Sequence, residues 1–213
     1  MIKPYGVGNG PIITQSMCYN PKKSIAVSTG GALPHSLQSH VLQYITFRLA
    51  DSLPESKLAE LHEIRNEWLS KHPQPWDSET EQLYKALIGD RIDRWLDAGH
   101  GSCVLKHQTA IKIIADTLKF HEDKKYYLYD YVIMPNHVHL IIFPFEELHL
   151  IMHSIKSYTA SKINRTFGLK GPLWQKESFD RMIRSVKDYR QKSDYIRHNP
   201  DAIPGVEASL PPQ

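Results

Sequence analysis

The chain has 213 residues, 41% of them hydrophobic, with 26 Lys and Arg against 23 Asp and Glu. That is enough for one sizeable core, and no apolar run approaches the roughly 20 residues a membrane-spanning helix needs. Two cysteines, Cys18 and Cys103, lie far apart with no CxxC spacing, which speaks against a disulfide framework or a zinc knuckle and makes the reducing cytoplasm the expected setting. The first residues carry no apolar h-region, so export is not expected.

The formal net charge of +3 is unevenly spread. Residues 156–198 hold eleven Lys and Arg against four Asp and Glu, whereas residues 51–100 hold six against eleven. A basic C-terminal segment beside an acidic middle one points to a polyanionic partner such as nucleic acid, although exposed Lys and Arg on helices also occur without one.

In chain order, residues 1–37 combine Gly, Pro, Ser and Asn with little periodicity and read as an N-terminal arm, partly irregular. Residues 41–49 are β-rich and form the expected first core strand. Pro54 opens a helix over about 55–72 with Leu58, Leu61, Trp68 and Leu69 near one stripe. A break at 72–76 separates it from a second helix, 78–97, expected to bury Leu83, Leu87, Ile92 and Leu96. A third helix, about 107–120, buries Ile111, Ile114 and Leu118. Strands at 126–134 and 137–143 follow, joined tightly through Pro135 and Asn136. A fourth helix, about 146–166, carries Leu148, Ile151, Met152, Ile155 and Ile163 on one stripe. A strand at 178–184 and a helix at 186–199, ended by Asn199 and Pro200, complete the order.

With the acidic helical pair at about 52–100 set aside as an insertion, the order is strand, helix, strand, strand, helix, strand, helix. That is an α+β chain with a ferredoxin-like antiparallel sheet, helices, and a C-terminal helix. The expected organisation is the arm 1–37, a single domain 38–205 containing the insertion, and a short tail 206–213.

The chemistry concentrates in two places. His137 and His139 alternate with Val138, Leu140 and Ile142, so in a strand both imidazoles leave one face while the apolar residues enter a core on the other. Two neutral imidazoles side by side suit a divalent metal; the plain alternative is two polar residues on a solvated sheet face. On the last helix, Tyr195 and Asn199 are four apart and share a face, while Tyr189 and Ile196 mark a different stripe. A packed tyrosine and a helix-capping asparagine are the alternatives there. Tyr158, on the fourth helix, falls on that helix's apolar stripe and reads as a core or edge aromatic. Trp174 could stack a base or anchor the core.

The segment Met134, Pro135, Asn136, His137, Val138, His139, then Trp174 and Gln175, then Tyr195, Ile196, Asn199 and Pro200, resembles the REP-associated tyrosine transposases, which are single-tyrosine His-hydrophobic-His (HUH) nucleases akin to insertion-sequence transposases. The resemblance spans roughly residues 40–205 and rests on three separated motifs in the family's order. It implies the same fold. It further implies Tyr195 as nucleophile on the C-terminal helix and a Mg²⁺ or Mn²⁺ ion on His137, His139 and Asn199. Phosphate or base contacts would come from Arg181, Arg184, Lys187, Arg190 and Trp174. The implied activity is metal-dependent cleavage and rejoining of hairpin-forming, REP-like single-stranded DNA through a 5′-phosphotyrosine. The implied partner is single-stranded hairpin DNA, with a monomer expected over a homodimer and no membrane partner. The alternative is a catalytically inactive or domesticated relative that only binds structured single strands.

Overall fold

A computed structural model describes residues 5–199 apart from 21, 24, 25, 29–34, 39 and 75. The expected tail at 206–213 and Pro200 lie outside the described residues. The elements are β1 (Tyr5–Val7), β2 (Ala26–Ser28), β3 (His35–Leu37), β4 (Gln43–Arg48), α1 (Glu55–Lys71) and α2 (Ser78–Asp97). They continue with α3 (Gln108–His121), β5 (Tyr126–Ile133), β6 (His137–Pro144), α4 (Leu148–Phe167), β7 (Phe179–Met182) and α5 (Val186–His198). No helix among the described residues is long and apolar enough to cross a membrane.

Five strands form one antiparallel sheet in the order β1-β5-β6-β4-β7. The four strands β5, β6, β4 and β7 have the strand order of a ferredoxin-like fold, and β1 extends the sheet beside β5. The short strands β2 and β3 pair separately. Segment 1–37 therefore contributes one strand to the main sheet, a pairing across distant residues that its composition does not announce.

The two sheet faces are covered by different elements, as the period of two along the strands requires. Ile45, Phe47, Val138, Leu140 and Ile142 meet Ile111, Ile114 and Leu118 of α3 and Ile151, Ile155 and Ile163 of α4. The opposite face presents Tyr44, Val132 and Ile141 to Ile196 of α5. On that same face Phe179 packs against Tyr84, Ile88, Ile92 and Leu96 of α2. Thus α5 and the acidic pair α1–α2 share the face that carries the two histidines.

The stripe expected on the second helix is corrected. Leu83 is 58% exposed, and the buried row is Tyr84, Ile88, Ile92 and Leu96. Steps of four keep these residues on one ridge, and Phe179 decides which ridge docks. Gly89 sits at the closest approach: a Cβ there would come 2.5 Å from Phe179 Cε1. Of the two readings of Tyr158, the core one is excluded and the edge one holds: it is 52% exposed on α4, at the margin of a groove with Phe120 and His121. The third and fourth helices bury the residues expected of them.

A β-bulge between Leu128 and Asp130 sets the position of α5. Asp130 pairs with Ile141 and so faces α5, although the alternation through Leu128 alone would send it to the other side. There the fully buried carboxylate accepts hydrogen bonds from Tyr189 Oη (2.8 Å) and Arg197 Nε (2.9 Å). Both donors belong to α5, so this carboxylate ties the helix to the sheet. Asp130→Ala is expected to lower the unfolding free energy by about 2–3 kcal/mol, the scale of lost hydrogen bonds to a buried charge. An unchanged urea midpoint would show that the tie does not hold the helix.

Candidate active site

The register of β4 against β6 sets Thr46 opposite His139 and Arg48 opposite His137. The two imidazoles are fully buried, and their Nε2 atoms stand 2.9 Å apart. Each ring is held from its other nitrogen. Asn136 Nδ2 donates to the carbonyls of Leu96 and His100, which leaves Asn136 Oδ1 to accept from His137 Nδ1 at 2.7 Å. His137 therefore carries its proton on Nδ1 and turns a bare Nε2 toward His139. His139 Nδ1 lies 2.9 Å from the Tyr44 hydroxyl and 2.8 Å from that of Thr46. Hydroxyls donate and accept equally well, so this ring can hold its proton on either nitrogen.

Burial pushes the His137 pKa down to about 3. It pushes His139 well below the usual histidine range as well, assisted by the nearby His137 and Lys192 charges. Both rings are neutral at neutral pH, the form that has a lone pair to offer.

Helix α5 brings Tyr195 onto this pair, its ring centroid 5.4 Å from that of His139 in an edge arrangement. Asn199 caps the same helix, donating its backbone N–H to the Tyr195 carbonyl. The asparagine is buried, and its Nδ2 has no hydrogen-bond partner among the described residues. Tyr158 lies on α4, across the sheet from the histidines, lining a groove with Phe120 and His121. Of the two helical tyrosines Tyr158 and Tyr195, only Tyr195 stands on the histidine face.

Asp97, at the end of α2, was not anticipated from the sequence. It accepts from the Tyr195 hydroxyl through Oδ2 at 3.4 Å, and its Oδ1 is 3.9 Å from His137 Nε2. Because His137 is neutral, the latter approach is not an ion pair. Burial raises the Asp97 pKa, partly offset by the Tyr195 hydrogen bond. Burial likewise pushes the Tyr195 phenol up, reinforced by the Asp93 and Asp97 charges and opposed by Asn199. The phenol is therefore protonated in this arrangement. The available signal was the spacing of Asp93 and Asp97, four apart on one helical face, but nothing local tells which partner that face meets.

The expected DNA-contacting residues divide. Arg181 is half-buried on the histidine face, 5.7 Å over the Tyr44 ring, and Arg184 is exposed, 5.7 Å over Tyr19. Lys187 and Arg190 are exposed on α5. Trp174 is corrected as a candidate base-stacking residue. It is 6% exposed on the α3–α4 side, edge-on to Phe47 at 4.8 Å, with its Nε1 donating to Thr159 Oγ1 at 2.9 Å. Its ring is consumed by the core, which is the anchoring alternative the sequence also allowed.

The donor set fits a divalent cation. Two ligand nitrogens at about 2.1 Å from an ion of octahedral geometry stand about 3 Å apart, close to the 2.9 Å separation of the Nε2 atoms. At the end of the helix that carries Tyr195, Asn199 has a buried Nδ2 with no hydrogen-bond partner among the described residues; that amino group is a donor, so a cation would take the same amide's Oδ1. Among the described residues, no three His, Cys, Asp or Glu side chains are gathered as a metal-holding group, so any third protein ligand would be of another type, as an amide is.

Residues 102–199 match the sequence model of the family described as "Transposase IS200 like". The solved structure of a REP-associated tyrosine transposase bound to a REP hairpin aligns at 18% identity and a TM-score of 0.43, over 81% of this chain and 73% of that one. No curated protein matches. The span similar to the IS200-like transposase family, residues 102–199, holds His137, His139, Tyr195 and Asn199.

Proposed function

We propose that the protein is a metal-dependent endonuclease and strand transferase acting on hairpin-forming, REP-like single-stranded DNA, with Tyr195 as nucleophile. The observation that supports it most directly is the seating of Tyr195 against His139 on the face where the two imidazole Nε2 atoms converge.

His137, His139 and Asn199 would hold Mg²⁺ or Mn²⁺, which when bound supplies positive charge for the scissile phosphate. Asn136, Thr46 and Tyr44 fix the two imidazoles from behind. The Tyr195 oxygen attacks phosphorus, forming the Tyr195–O–P bond as the P–O3′ bond breaks. Its proton leaves toward Asp97 or water, and the departing 3′ oxygen takes one up. The DNA 5′ phosphate stays on Tyr195, so a later 3′-OH can attack it and reseal a strand. Arg181, Arg184, Lys187 and Arg190 place positive charge along the strand's path. Asp93 and Asp97 disfavour the phenolate until positive charge arrives, which keeps the nucleophile quiet in the absence of the cation.

The test is incubation of the protein with an end-labelled hairpin oligonucleotide in Mn²⁺, followed by denaturing electrophoresis. A protein–DNA adduct is expected when the label lies 3′ of the cut and not when it lies 5′. Binding that weakens with salt, as counterion release requires, but yields no adduct would instead favour the non-catalytic binding alternative.

A further inference from the structure

Helices α3 and α4 cover the sheet face opposite the histidines, and between them runs a groove of about 500 Å³. That volume suits an organic ring system. The lining passes from the buried Thr117 and His121 out to two exposed rings, Phe120 on α3 and Tyr158 on α4. Phe120 is 63% exposed, so neither ring is spent on the core. One exposed ring needs no explanation, whereas two on the helices that bound a single groove mark a contact surface.

Each ring has a cation with it. Lys124 Nζ stands 3.8 Å over Phe120, and Lys162 Nζ 5.6 Å over Tyr158. Neither ammonium lies in an ion pair among the described residues. The acid on the wall, Asp116, is already held by Lys112 at 2.8 Å. Residues 148–170, which include all of α4, carry four Lys and Arg and no Asp or Glu. At the base of the groove, burial lowers the His121 pKa, assisted by Lys125 and Lys124 and opposed by Glu146, so the ring is neutral. Its Nε2 lies 3.4 Å from Ser154 Oγ. The base therefore offers an imidazole and a hydroxyl to a polar ring edge, and no further charge.

An apolar peptide would use the rings and leave the lysines idle, and a simple anion would do the reverse. A single nucleic-acid strand uses both, because its bases stack on aromatic side chains while Lys neutralises its phosphates. We propose that the α3–α4 groove is a second contact for single-stranded DNA, remote from the cleavage site, in which an unpaired base stacks on Phe120 or Tyr158 while Lys124 and Lys162 meet the adjoining phosphates. The proposal rests on the DNA reading above and adds a surface on the other side of the sheet from Tyr195. A hairpin held on the histidine face and a single-stranded extension held here are one ligand bound at two points, so the second contact forms intramolecularly.

Fluorescence anisotropy without divalent ions tests it, with a bare hairpin and the same hairpin carrying an extension of about 20 thymidines. Wild-type protein is expected to bind the extended hairpin about tenfold more tightly, the scale of a stacked base. Phe120→Ala combined with Tyr158→Ala should remove that gain, with bare-hairpin affinity and its adduct yield in Mn²⁺ unchanged. Phe120→Tyr combined with Tyr158→Phe keeps both rings and should keep the gain. Irradiation of an extension containing 5-iodouracil should crosslink it to Phe120 or Tyr158, mapped by peptide mass spectrometry. A gain that survives the double alanine variant, or crosslinks confined to the histidine face, overturns the groove contact and leaves the DNA reading intact. Equal wild-type affinity for the two hairpins does the same and assigns the groove to a partner other than DNA. A wild-type protein that binds neither hairpin overturns the DNA reading and the groove contact with it.

Discussion

Tyr195→Phe is expected to eliminate the denaturant-resistant adduct while leaving hairpin affinity within about twofold, since the change removes one hydroxyl and almost no volume. The hydroxyl donates to Asp97 across a long 3.4 Å contact, and losing a bond that weak should cost less than about 1 kcal/mol of stability. The ring contact with His139 survives the substitution. Tyr158→Phe serves as the counterpart, because Tyr158 sits on α4 across the sheet from the histidines, and should retain the adduct in full. Quantifying covalent product on denaturing gels for the two variants decides the matter. An adduct lost with Tyr158→Phe and kept with Tyr195→Phe would move the nucleophile to α4 and refute the site as assigned.

Replacing His137 and His139 together by Ala should reduce adduct formation to background. Chelation of divalent ions with EDTA should do the same to the unaltered protein, while hairpin binding persists in both cases. The double variant also empties a fully buried space and strands the Asn136, Tyr44 and Thr46 groups that face the rings. Its stability is therefore expected to fall by about 2–5 kcal/mol. The EDTA arm carries no such penalty and separates loss of metal from loss of fold. Adduct formed equally well in EDTA would refute the metal assignment whatever the double variant does.

Much of the site was legible because its parts obey local periodicities. The alternation from His137 to Ile142 put both imidazoles on one face and the aliphatic residues in the α3–α4 core, as the burial of Val138, Leu140 and Ile142 bears out. The four-residue spacing of Tyr195 and Asn199 placed them on one side of α5. The element order, with the helical pair removed, sufficed for the ferredoxin-like sheet, because each strand and helix carries its own period and breakers.

What the sequence by itself determined, then, is which residues share a face within each element. Which faces meet was decided only in the tertiary structure. Tyr158 and Tyr195 each lie on a regular helix, and helical phase cannot say on which side of the sheet that helix packs. The bulge before Asp130 turns a carboxylate against the strand's alternation, and that carboxylate ties α5 over the histidines. Leu83 and Tyr84 are adjacent, and the contact with Phe179, some ninety-five residues later, selects the ridge that docks. That docking then delivers Asp97 to Tyr195. Trp174 reads as an anchor more readily than as a base platform, and Phe47 and Thr159 around it decide for the anchor. In each case the deciding contact joins residues far apart in the chain, where local propensity and spacing carry no information about the partner.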